Sequence, residues 1–170
     1  MTKRISMAMA LVLAAASSVG AQSIASSQAD VLLTVQRGLS ITTPGNTQLD
    51  FGTVVAGAGA LSIAAATDAA AVEFEIAGEP SKPITITSAM WAADGTTANA
   101  ISEVGGATIA FTSDLIYTVD TATQGGAAIA GTEALSATGG GSVWMGGSLS
   151  VPNGQTGGLY SGTLTLTVNY

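Results

Sequence analysis

Residues 160–170 read YSGTLTLTVNY, and the parity of this stretch decides the fold. Tyr160, Leu164, Leu166, Val168 and Tyr170 fall on one side, and Ser161, Thr163, Thr165, Thr167 and Asn169 on the other. Strands point successive side chains to opposite faces, so the pattern describes a β-strand with one apolar and one wet face. Chain ends usually fray, yet this one carries a full strand pattern and closes on an aromatic ring. A second alternating segment stands near the other end, in ADVLLTVQRGLSI. There Ala29, Val31, Leu33 and Val35 share one parity, Arg37 interrupts, and Leu39 and Ile41 resume it, with Gly38 at the break. An exposed apolar strand invites edge-to-edge pairing. This segment must therefore join its own sheet or be supplied to another subunit.

The first residues read as a secretory signal. Lys3 and Arg4 form a basic start, Ile5 to Ala16 an apolar run, and Val19-Gly20-Ala21 a small-residue site that places cleavage before Gln22. The apolar run is shorter than the roughly 20 residues a bilayer span needs. No later segment is both long and apolar enough, so a soluble, exported chain without a membrane span is expected. The organisation expected is then a signal peptide at 1–21, an alternating strand at 22–37 and one domain at 38–170. Beyond residue 21 only Arg37 and Lys82 oppose 11 acidic residues, a net charge of −9. Nucleic acid and anionic lipid surfaces demand basic patches, so neither is an expected partner.

The chain has neither cysteine nor histidine. Disulfide staples are excluded, as are histidine triads, proton relays and histidine-ligated zinc. Stability must come from apolar burial and sheet hydrogen bonding.

Strand patterns fall at 29–36, 39–42, 48–55, 61–64, 72–77, 84–87, 107–111, 115–119, 142–151 and 159–170. Turn clusters such as Pro44-Gly45-Asn46, Gly78-Glu79-Pro80, Gly139-Gly140-Gly141 and Pro152-Asn153-Gly154 separate them. Residues 121–141 read as a long loop or a weak edge strand. Many short strands without helical periodicity predict an all-β, antiparallel, immunoglobulin-like sandwich.

Chemistry-bearing groups are few. Glu73 and Glu75 in VEFEI share one strand face, as two glycosidase carboxylates would, but that face lies opposite a clean apolar stripe and reads as the solvent side. Asp94, Asp114 and Asp120 lack the tight ligand spacing of a calcium loop. Serines are plentiful, but no nucleophile elbow or activating histidine accompanies them. Trp91 and Trp144 would offer stacking platforms, and for Trp144 core filling is the expected role. The residues compose no enzyme and imply no cofactor and no metal.

ADVLLTVQRGLSI followed by LDFGTV resembles the start of archaic chaperone–usher pilins and spore-coat-U type subunits. The aromatic-closed terminal strand, and Gly157 as the fourteenth residue from the end, are similar to pilin ends. The layout of LDFGTVVAG, FEIAGEPSKPITIT and GGSLSVPNGQTGGLYSGTLTLTVNY is closer still to a secreted bacterial family of unknown function (DUF4402-type). The pilin resemblance implies an incomplete sandwich whose groove receives Ala29, Val31, Leu33 and Val35 from a neighbour, giving a homo-polymer. It also implies a periplasmic chaperone that contacts Gly157, Leu164, Leu166, Val168 and Tyr170, the last through its carboxylate. The first-strand cysteine usual in spore-coat-U-like subunits is Leu39 here, which favours a strand folded back into its own sheet. The expected function, from the strand-addition pattern at both ends, is nevertheless a non-enzymatic surface subunit assembling by strand exchange. The alternative is a self-contained secreted module binding a glycan or surface protein through its loops.

Overall fold

A computed structural model describes residues 32–103, 106–119 and 123–170. The signal segment, Ala29 and Val31 lie outside the described residues. Contacts divide the chain after Thr34, and among the described residues every strand belongs to the unit Val35–Tyr170.

Ten strands follow in order: β1 Ser40–Thr42, β2 Gly59–Ile63, β3 Val72–Ala77, β4 Pro83–Ala92, β5 Ala100–Glu103, β6 Thr108–Thr118, β7 Ala127–Ala128, β8 Thr132–Ala134, β9 Gly140–Val151 and β10 Tyr160–Asn169. All pairings are antiparallel, and the hydrogen-bonded path runs β1-β3-β9-β6-β5-β10-β4-β8, with β2 added to β9 and β7 to β6. The protein is all-β, as the alternation predicts.

The path folds over itself into two packed layers. One core cluster joins Ile76, Tyr117 and Val143 of β3, β6 and β9 to Ile84 and Ile86 of β4, with Leu166 and Val168 of β10 against it. A second joins Ile109, Phe111, Leu149 and Val151 to Met90, Ile101 and Tyr160. Side chains from both layers thus interdigitate between them, the arrangement of a sandwich. β5 carries the sheet from one layer to the other, pairing β6 at Ala100↔Ala110 and β10 at Ser161↔Ser102.

β9 is the central strand of the first layer. Its register against β6 runs from Phe111↔Leu149 to Thr118↔Ser142, while its other edge holds β2 and then β3. Between Ile63↔Gly147 and Val72↔Met145 the chain leaves the ladder as the loop 64–71. Gly146 faces that departure, and a Cβ there would run into the Ile63 carbonyl and the Ala65 amide.

Several elements differ from their sequence patterns: β5 answers to no pattern, and the described part of the 29–36 pattern, residues 32–36, belongs to no strand. The 107–111 and 115–119 patterns are one strand, because Thr112, Ser113 and Asp114 stay in register with Ser148, Gly147 and Gly146. The 84–87 pattern extends through Trp91 and Ala92, held by β10. The 48–55 pattern is not a strand: the Asp50 carboxylate accepts the Gly52 N–H at 2.8 Å, and Gly52 turns at φ +71. That local turn replaces ladder bonding. Residues 121–141 hold the short strands β7 and β8.

Candidate functional site

The site begins with what β10 lacks. From Gly162↔Ala92 to Asn169↔Thr85 it pairs with β4, and Tyr160 and Ser161 pair with β5. Among the described residues each β10 position therefore has a single strand partner, and from Gly162 to Asn169 one edge is open. Its alternation is as the sequence reads: Thr163, Thr165 and Thr167 are exposed, while Leu164, Leu166 and Val168 face inward. Those three are only half-buried. The strands facing them are better covered, with Ile76 and Val143 at 0 % exposure.

Beside the start of β10 lies a groove of about 870 Å³. One wall is Gly157 to Leu164, the other is Thr47 to Val54, and the floor is Phe74, Phe111, Met145 and Leu149. Phe51 meets Phe111 edge to face at 6.2 Å between ring centroids, which fixes the far wall to the floor. Gly157 lies in this wall, ahead of β10, with open space around it. An apolar floor beneath an unpaired strand edge is a seat for one more strand.

The N-terminal apolar pattern shows the complementary condition. Leu33 and Val35 are exposed at 84 and 79 % and belong to no strand, and Leu32 is exposed at 94 %. The chain re-enters the fold at Arg37. Its N–H donates to Glu79 Oε2 at 2.8 Å, and its guanidinium reaches the Gly78 and Thr138 carbonyls at 3.3 Å each. The Tyr170 hydroxyl donates to the Arg37 carbonyl at 2.8 Å and accepts the Glu79 N–H at 2.7 Å. Thus Leu164, Leu166 and Val168 line the inward side of β10, while Tyr170 grips the base of the arm with its hydroxyl.

The remaining nominated residues are engaged elsewhere. Glu73 Oε1 accepts from the buried Ser142 hydroxyl at 2.8 Å. The Thr97 hydroxyl, with the Thr96 and Thr97 N–H groups, holds the Asp94 carboxyl down to about 2. Asp114 accepts the Ala65 N–H at 3.0 Å, and Asp120 lies outside the described residues. Among the described residues no cluster of three acidic side chains could hold a metal, and no helix is long and apolar enough to cross a membrane. Trp144 is partly buried, whereas Trp91 stands 44 % exposed.

Sequence patterning missed Leu49, Phe51 and Met90 as groove and core residues, and Glu79 as the partner of Arg37. LDFG carries the first two, but its apolar pair mimics a strand.

No curated protein matches the sequence. The strands, the groove and the terminal strand all fall within residues 39–170, the span matched by a family described as a domain of unknown function (DUF4402), and the chain belongs to that family.

Proposed function

We propose that this protein is a non-enzymatic structural subunit of the cell surface or extracellular space that assembles by β-strand exchange. Ala29, Val31, Leu33 and Val35 of one copy add a strand to the open edge of β10 in the next. One observation carries the reading: β10 has an unfilled, partly covered strand edge, and Leu33 and Val35 of the alternating N-terminal pattern are exposed and belong to no strand. Each is a liability alone, and each satisfies the other. Strand addition would complete the ladder and cover Leu164, Leu166 and Val168. Before assembly the same edge would suit a periplasmic chaperone.

The test uses residues 37–170 and a peptide of Ala29–Gln36. Peptide in hundredfold excess over its Kd should raise stability by about 2.7 kcal/mol, and a peptide with Leu33→Asp should have no effect. A folded monomer that ignores both peptides contradicts strand exchange. That result would favour a self-contained glycan-binding module, for which the exposed Trp91 ring beside Thr163 on an uncharged, threonine-rich face is the supporting observation.

A further inference from the structure

The contacts around Tyr170 do more than close the sandwich. The ring hydroxyl bridges two chain segments, donating to the Arg37 carbonyl and accepting from the Glu79 amide. Arg37 is held at three further points, by Glu79 Oε2 and by the Gly78 and Thr138 carbonyls. The backbone beneath is equally constrained. A Cβ on Gly78 would sit 2.6 Å from the Tyr170 hydroxyl and 2.8 Å from Leu39 and Leu135, so only glycine fits. Gly78 donates its N–H to the Gly139 carbonyl at 2.8 Å, and Gly139 turns at φ +89 where a Cβ would strike the Gly78 carbonyl. Every hydrogen-bonding group of the Arg37 backbone is thus engaged, and the guanidinium is shared between two carbonyls.

We propose that Tyr170, Arg37 and Glu79 form a joint between successive copies of the chain. This rests on the strand-exchange reading. Val35 is exposed and belongs to the apolar pattern that a neighbour would receive, yet only Gln36 separates it from Arg37. No flexible linker intervenes between the seated strand and the clamped residue. The reach and freedom of a flexible linker grow with its length, and one residue leaves almost none. The neighbour that accepts the arm must therefore abut the end of the sandwich bearing Tyr170, Glu79 and Thr138. The joint passes one subunit's orientation to the next, and the assembly is stiff.

The chain offers an unusually clean probe. Beyond residue 21 the only basic residues are Arg37 and Lys82, and Lys82 precedes Pro83, a bond that trypsin cuts poorly. Arg37–Gly38 is then the one efficient tryptic site; it is exposed, but the joint holds Arg37 by its backbone N–H, its carbonyl and its guanidinium, so that it must be released to fit a protease cleft. In the chain 22–170, Tyr170→Phe keeps the ring and removes both hydroxyl bonds. Cleavage at Arg37 should become about tenfold faster, since proteolysis follows the population of the opened form. Circular dichroism should show an unchanged fold, and electron micrographs should show assemblies that bend more. Glu79→Ala, which frees the Arg37 N–H without touching the ring, should act in the same direction and serves if the first variant folds poorly. Cleavage of both variants at the wild-type rate, with assemblies as straight as wild type, overturns the joint alone. If neither wild type nor variant assembles, strand exchange fails and the joint between copies falls with it.

Discussion

β9 and β10 are the two long strands that place apolar side chains at alternate positions on an inward face, Val143, Met145, Leu149 and Val151 in one and Leu164, Leu166 and Val168 in the other, yet they are finished differently. β9 is paired on both edges, and its inward residues Val143 and Leu149 are 0 and 6 % exposed. β10 is paired on one edge from Gly162 to Asn169, and its inward Leu164, Leu166 and Val168 stay half-covered. Alternation states which face a side chain takes, while the number of neighbours decides how far water is removed from it. What β10 lacks is a neighbouring strand, since its own pattern is complete.

The comparison can be broken first where it should cost most. Ile76→Ala removes a fully buried side chain opposite β9 in the doubly flanked layer, and should destabilise by about 2–5 kcal/mol in denaturant titration. Gly147→Ala tests the same layer by adding atoms. Its Cβ would meet the Phe111 ring and the Thr112 carbonyl, so a loss of about 1–3 kcal/mol is expected. Leu166→Ala in residues 37–170 should cost less, about 1–2 kcal/mol, because part of the side chain is already wet. Adding the Ala29–Gln36 peptide should enlarge that cost while leaving the Ile76→Ala cost unchanged. Equal losses at Ile76 and Leu166 without peptide would remove the distinction between the strands.

A smaller effect concerns Tyr117, buried between the layers with its hydroxyl donating to the Ala134 carbonyl at 2.9 Å. Burial, and secondarily the nearby Glu133 charge, pushes this phenol up to about 12. The folded state favours the neutral form, so this contribution is intact below pH 10, the usual tyrosine value, and is lost as pH climbs toward 12. Denaturation midpoints at pH 9 and 11, with an ultraviolet tyrosine titration, should show stability falling while one phenol ionises late.

Much of this was legible in the sequence, for reasons visible in particular residues. VEFEIA, the 72–77 pattern, became β3 with its bounds unchanged, and YSGTLTLTVN became β10, because period-two patterns survive when one face is buried. The stretch around Leu49 and Phe51 misled because a side-chain turn at Asp50 competes with ladder bonding, a contest that hydrophobic spacing does not record. β6 looked like two strands because Thr112, Ser113 and Asp114 carry no apolar signal, although their backbones pair with β9. The grip of Tyr170 on Arg37 was beyond reach. The two are 133 positions apart and are joined through a hydroxyl and a carbonyl, groups that no periodicity reports.

Amide hydrogen exchange across β10 tests the central claim most directly. In residues 37–170 alone, alternate amides between Gly162 and Asn169, those on the open edge, should exchange quickly, whereas the amides of β9 stay protected on both edges. Adding the Ala29–Gln36 peptide should slow the fast set and leave β9 unchanged. Uniform protection along β10 without the peptide, or fast exchange that the peptide does not alter, would contradict an open edge awaiting a strand.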